Sequence, residues 1–336
     1  MTDKLILGSL TRIAPFAERT PGIEPQPRST WKTGDYVVIE MGDSVRAQKV
    51  ELRDGRIAAA GAGRRIVGAL GERAATLESV GSWRAVGDDL SVNMMTAAGL
   101  IGRFTSRSAL MPAANPARYL GHATLDGVPV SMTDFVAEPS GASFDIPIVL
   151  IIGTSMSAGK TLAGRVIVRE LKKRGLHVVG TKLTGAGRYR DVLSWRDAGA
   201  DAVFDFVEGG LPSTVVDEDE YRRALGVVLD RIAAEKPDVV VAEAGASPLE
   251  PYNGTVVMEE LADVIAFILL AASDPYAVTG VINAFDLPPD AVSGVATSTS
   301  AGIELIEKLT GVPAVNVLDL GDHERLGSLM DAKLGL

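Results

Sequence analysis

Cysteine is absent from the 336 residues, which excludes disulfides, thiolate zinc sites and iron–sulfur clusters. Histidine is scarce. His122, His177 and His323 are far apart in sequence, so a metal site here would rest on oxygen ligands. Basic residues are outnumbered, 33 Lys and Arg against 43 Asp and Glu, and the formal charge of −10 argues against a nucleic-acid surface. A local basic pocket for phosphates remains compatible with that balance. Long apolar runs are also missing. The most apolar stretch, "VIAFILLAA" at 264–272, is too short to cross a bilayer, and "MTDKLILGSLTRIAPF" lacks the apolar core of a signal peptide. The expectation is a cytoplasmic protein with neither nucleic-acid nor membrane partners.

What is present suits compact domains: 46% of residues are hydrophobic, and the length accommodates two domains. The proline-rich passage "APFAERTPGIEPQPRSTW" predicts an extended arm over residues 1–33. Residues 34–140 read as a smaller β-rich or α+β domain, with hairpin signals at Asp54-Gly55 and Asp126-Gly127. Within it, "VNMMTAAGLIGRFTSRSAL" (92–110) predicts a helix. "EPSGASFDIP" (138–147) reads as a linker. From 145 to 330 apolar runs alternate with helical stretches, including candidate strands at "VSGVATS" and "AVNVLDL". Continuous apolar strands joined by helices predict an α/β domain whose mostly parallel sheet is flanked by helices. Ligands of such sheets sit at the carboxyl ends of the strands.

One such end carries the strongest signal. "IVLIIGTSMSAGKT" (148–161) is a strand, a small-residue loop and the start of a helix. In that context the backbone amides from Gly153 through Thr154, Ser155, Met156, Ser157, Ala158 and Gly159 can cradle phosphates at a helix N-terminus. Lys160 would reach the outer phosphates and the Thr161 hydroxyl would ligate Mg2+. A second signal is Glu243, which ends the apolar run "PDVVVA". A carboxylate closing a buried strand needs a counter-charge, and Lys160 with Mg2+ would supply it.

The usual loop places a glycine where this chain has Thr154. "GTSMSAGKT" resembles the loop of dethiobiotin synthetase and its relatives, in which Gly-Thr opens a nine-residue stretch ending in Gly-Lys-Thr. Glu243-Ala244-Gly245-Ala246 is similar to the Glu-Gly-Ala-Gly context of that P-loop group. The resemblance implies that Lys182, in "VVGTKLTGAG", is an anion-binding or charge-stabilising lysine. It also implies that Asp191 helps Thr161 and Glu243 hold the metal. Thr184 and Arg188 are further candidates for substrate contacts.

Downstream, Glu250-Pro251-Tyr252 and Asp274-Pro275-Tyr276 each follow a candidate buried strand, so both segments could line one pocket, with Tyr252, Asp274 and Tyr276 as candidate substrate contacts. They resemble segments of a group of P-loop proteins that includes D-glutamate N-acetyltransferase, which also carries a domain before the P-loop domain. In the smaller domain, Arg73, Arg103, Thr105, Ser106 and Arg107 could bind an acidic substrate.

Three functions fit these readings. The leading one is an ATP- and Mg2+-dependent, ligase- or kinase-like enzyme that activates a small carboxylate-bearing substrate as an acyl phosphate, with Lys160, Lys182 and Glu243 as its catalytic residues. The second resemblance implies instead an acetyl-CoA-dependent amino-acid N-acetyltransferase whose loop holds the coenzyme diphosphate. The third is a nucleotide-switched binding protein. Relatives of this class imply a homodimer.

Overall fold

The computed structural model describes residues 5–44, 46–245, 247–285 and 288–336. Residues 1–4 of the expected arm and Ala246 of the Glu243 segment lie outside them. The chain groups into two compact units. The first comprises Met1–Pro139 together with Ala186–Arg190 and Phe206–Val227, two segments that the sequence assigns to the later domain. The second takes Ser140–Gly185, Asp191–Asp205 and Val228–Leu336.

The first unit is β-rich. Its strands are β1 (Ile6–Leu7), β2 (Gly22–Glu24), β3 (Tyr36–Met41), β4 (Gln48–Glu51), β5 (Ile57–Ala60) and β6 (Arg65–Leu70). They continue with β7 (Glu72–Ala75), β8 (Ser79–Ser82), β9 (Ser91–Met94), β10 (Leu100–Arg107), β11 (Ala117–Leu125) and β12 (Val128–Pro129). Ten of these form one sheet, running β1-β6-β3-β11-β9-β10-β8-β7, with β2 and β12 on β11. An extra β6–β10 pairing closes five strands into a ring, which removes their exposed edges. Both expected Asp-Gly turns are present: β4 and β5 pair antiparallel around Asp54-Gly55, and β11 and β12 around Asp126-Gly127. Asp126 and Gly127 have φ of 53° and 77°, the backbone that a tight two-residue hairpin demands.

Two expectations for this unit are corrected. Described residues of the predicted arm are built into the fold: β1 pairs with β6 and β2 with β11, while Leu10, Ala14 and Phe16 are buried. The prolines mark turns between these anchored pieces, and Phe16 packs edge-on against Tyr36 at 5.0 Å. The predicted helix over 92–110 is instead the antiparallel pair β9–β10. Close packing selects the strand: a Cβ on Gly102 would lie 2.7 Å from Met95 Cε and 2.8 Å from the Trp83 amide. No local periodicity reports that contact.

In the second unit the strands are β13 (Ile148–Gly153), β14 (Val178–Thr184), β15 (Ala202–Asp205), β16 (Val239–Ala244), β17 (Ile265–Ala271) and β18 (Ala291–Ser293). They form an all-parallel sheet in the order β15-β14-β16-β13-β17-β18. Every residue of β13, β14 and β16 is buried, as a sheet covered on both faces requires. The helices are α1 (Lys160–Lys173), α2 (Tyr189–Arg196), α3 (Glu218–Ala234), α4 (Gly254–Glu260), α5 (Pro275–Phe285), α6 (Ser300–Thr310) and α7 (Leu320–Leu334). The first residues of α2 and the first half of α3 group with the first unit. Of the two late candidate strands, "VSGVATS" is extended only to Ser293 and "AVNVLDL" makes a single bridge, Ala314 to Val292. Asp319 ends the latter by accepting the Gly321 amide at 2.9 Å and starting α7. Among the described residues, no helix is long and apolar enough to cross a membrane.

The core of this unit turns on Trp195. Fully buried on α2, it lies against Gly164 of α1 and Gly180 of β14, and its indole N–H donates to the Thr161 carbonyl at 2.8 Å. A Cβ on Gly164 would overlap the indole ring. Gly164→Ala should gain about 1 kcal/mol in helix propensity yet lose roughly 1–3 kcal/mol to overpacking, for a net loss in urea unfolding. A variant more stable than the parent would contradict this packing.

Candidate functional site

The loop after β13 is held from both sides by backbone. The Thr154 amide donates to the Ala271 carbonyl at 3.0 Å, and the Val295 amide donates to the Ala158 carbonyl at 3.2 Å. The Thr154 hydroxyl lies 3.1 Å from that of Ser273 and accepts the Ser273 amide at 3.0 Å. Thr154 therefore stitches the loop to the end of β17. Ser157 and Gly159 have positive φ, 64° and 110°, so the chain coils tightly before α1 opens at Lys160. Glycine is required at 159 for a second reason: a Cβ there would sit 3.1 Å from the Gly294 Cα.

Lys160 is buried, 5% exposed, and donates from Nζ to the Ser155 carbonyl at 2.8 Å, across the loop. Beside it, the Thr161 hydroxyl donates to Glu243 Oε2 at 3.3 Å. The parallel register explains this convergence. Glu243 on β16 sits opposite Ile151 of β13 on one side and Lys182 of β14 on the other. Lys182 is 7% exposed and donates to Asp191 Oδ2 at 2.7 Å. A Cβ on Gly245 would crowd Lys182 Cε at 3.3 Å, so the chain leaving β16 passes the lysine closely.

Burial shapes the charges of both lysines. For Lys160 it pulls the pKa below the ordinary lysine value; Glu243 pulls back up, Lys182 pushes further down, and Glu250 and Asp191 also raise it. For Lys182 burial acts in the same direction, but Asp191 and Glu243 outweigh it and hold the ammonium well above the ordinary range. An ammonium withdrawn from water survives only beside such partners.

The structure brings together Lys160, Thr161, Lys182, Asp191 and Glu243. Other candidates have local duties. The Asp191 carboxylate, expected on the metal, is engaged by Lys182. Thr184 is buried and donates to the Gly245 carbonyl at 3.1 Å. Tyr252 is fully buried in the core. Asp274 is a helix cap that accepts the Tyr276 and Ala277 amides at 3.0 Å, and Tyr276 is 70% exposed. Arg103, Arg107 and Arg188 belong to the first unit. There Arg103 pairs with Asp89 at 3.0 Å, Arg107 donates to the Pro112 carbonyl, and Arg188 is exposed. Glu250 belongs to a segment expected to line a pocket but was not singled out as a site residue. Nine-tenths buried, it accepts the Ser247 amide at 2.7 Å and acts electrostatically on Lys160. Its sequence signal was a carboxylate six residues beyond the end of β16, followed by Pro251-Tyr252.

Among the described residues, no group of three or more His, Asp or Glu side chains is placed to hold a metal. The Thr161 hydroxyl and Glu243 carboxylate are nonetheless a hard-oxygen pair suited to Mg2+, which keeps several waters and takes phosphate oxygens alongside one or two protein ligands.

A parallel sheet, a Gly-Lys-Thr loop and a buried acid on the neighbouring strand define the second unit as a P-loop fold. Similar solved structures include FtsY from Mycoplasma mycoides, with 13% identity over 59% of this chain and 72% of that one and a TM-score of 0.38. HypB from Helicobacter pylori in complex with nickel is 17% identical over 56% of this chain and 87% of that one, with a TM-score of 0.38. A DUF1611 family protein from Anabaena variabilis is 16% identical over 58% and 62%, with a TM-score of 0.40. Likenesses of this size bear on no activity. No protein-family model matches the chain, and no curated protein matches it.

Because the folded pKa of Lys182 lies above the unfolded value of about 10.4, its stabilising contribution is whole below that pH and is lost as pH rises through the folded value. Asp191→Asn removes the main counter-charge. It should cost roughly 2–3 kcal/mol in urea unfolding at neutral pH and begin the alkaline loss at lower pH. Unchanged stability and alkaline profile would show that the pair is unimportant.

Proposed function

We propose that the second unit binds a nucleoside triphosphate, with ATP as the expected nucleotide, together with Mg2+, and transfers the terminal phosphoryl group to a small carboxylate-bearing acceptor. The observation that supports this most is the second buried ammonium. A loop that only held a nucleotide would need Lys160; keeping Lys182 charged next to it, at the cost of desolvation, suits a site that meets a second anion.

In this reading the loop amides and Lys160 hold the phosphates, and Thr161 and Glu243 hold Mg2+. The bound ion supplies charge neutralisation at the β- and γ-phosphate oxygens. An acceptor carboxylate oxygen attacks the γ-phosphorus, the bond from that phosphorus to the β,γ-bridging oxygen breaks, and ADP leaves with its electron pair. Lys182 stabilises the charge on the equatorial oxygens and the incoming carboxylate. Asp191 keeps that lysine protonated and oriented.

Thermal shift separates the candidate ligands. ATP–Mg2+ at a hundredfold excess over its Kd should stabilise the protein by about 2.7 kcal/mol, acetyl-CoA should not, and Lys160→Ala should abolish the effect. ADP should then appear when small carboxylates are added. Stabilisation by acetyl-CoA alone would favour the acetyltransferase reading, and tight ATP binding without ADP would favour a switch.

Glu243→Gln keeps the side-chain volume but removes the charge. It should fold and bind nucleotide while raising the Mg2+ concentration needed for ADP formation by roughly 10–100-fold. A wild-type Mg2+ titration in that variant would remove Glu243 from the metal site.

A further inference from the structure

A cavity of about 640 Å3 opens within the first unit, between residues 30–35, the 129–134 segment, the turn at Trp83 and the start of α3. Its volume falls in the range of small-molecule sites, about 300–1,000 Å3. All of its lining residues group with the first unit, and phosphoryl transfer uses none of them.

Two indoles, Trp31 and Trp83, line it. Each already lies beneath a guanidinium: Arg28 is 5.2 Å from the Trp31 centroid and Arg84 is 4.4 Å from that of Trp83. Indole faces attract cations through their quadrupole, so these rings are set in surroundings that favour positive charge.

The lining also carries Asp35, Asp134 and Glu220 against Lys32 and Arg84. Arg84 is matched at 2.9 Å by Glu72, which lies outside the lining. The lining therefore holds three carboxylates against Lys32 and an Arg84 that it shares with Glu72. Asp134 accepts the Ser131 amide at 2.7 Å and Asp35 accepts the Lys32 amide at 2.7 Å, contacts that orient the carboxylates without cancelling their charge. Asp35 also faces His122 Nε2 at 3.2 Å. The hydroxyl of Tyr119 accepts the Gln26 amide at 3.1 Å and lies 2.6 Å from His122 Nδ1. Glu220 is half-buried, and no described side chain donates a hydrogen bond to it. Burial and then Asp217 push its pKa up, and Arg223 and Arg84 offset that only in part.

We propose that this cavity binds a small organic cation, an amine-bearing molecule held by the Glu220 and Asp35 carboxylates beside the Trp31 and Trp83 rings. The site is independent of the P-loop reading and stands if that reading fails.

Isothermal titration of the full chain with spermidine, choline and arginine amide tests it, with acetate as the anionic control. At least one cation should saturate at one per chain below about 10 mM, and Glu220→Gln should weaken it about tenfold. Lys160→Ala, at the other unit's loop, should leave that affinity unchanged. Acetate should show no binding that Glu220→Gln alters. The proposal is overturned if no cation saturates, if Glu220→Gln binds as tightly as the parent, or if Lys160→Ala removes the binding.

Discussion

Two ammonium groups and two carboxylates are withdrawn from water at the carboxyl end of one parallel sheet, and the site depends on their mutual compensation. Lys182 alone at its depth would lose its proton or unfold its surroundings; Asp191 at 2.7 Å and Glu243 on the adjacent strand keep it charged. Glu243 in turn accepts from Thr161 and acts on Lys160. Each member is tolerable because the others are present. The group is therefore a single electrostatic object rather than a set of independent residues, and effects of substitution within it should not add.

The fold makes this object possible by fixing its members on rigid elements. The register of β13, β16 and β14 sets Glu243 between the loop strand and Lys182. Trp195 ties α2, which carries Asp191, to the first turn of α1 through the Thr161 carbonyl. Glycines at 164 and 180 leave room for its ring. Backbone contacts from the ends of β17 and β18 hold the loop before any ligand arrives. A site held this way spends little binding energy on ordering itself.

Chemistry written in consecutive residues was legible in the sequence. Gly153 to Thr161 declared strand, loop and helix, and Glu243 stood out because a carboxylate at the end of an apolar run is costly without a purpose. The parallel sheet followed from apolar runs alternating with helices. Partnerships across the fold were not legible. Nothing local says that Asp191 faces Lys182, or that Gly102 must pass beside Met95 and so cannot be helical. The prolines before Trp31 suggested an arm because the apolar residues beside them, Leu10 and Phe16, are buried by partners distant in sequence, Gly187 and Tyr36 among them. Asp274-Pro275 carried a readable signal with another meaning, that of a capping acid followed by proline at the first helical position.

A crystal structure grown with Mg2+ and a non-hydrolysable nucleoside triphosphate examines the central claim most directly. The account predicts phosphate oxygens against the amides of residues 155–161, Lys160 Nζ moved from the Ser155 carbonyl onto them, and Mg2+ at Thr161 and Glu243. A nucleotide bound elsewhere, with Lys160 still on Ser155 and Glu243 away from any metal, would contradict it.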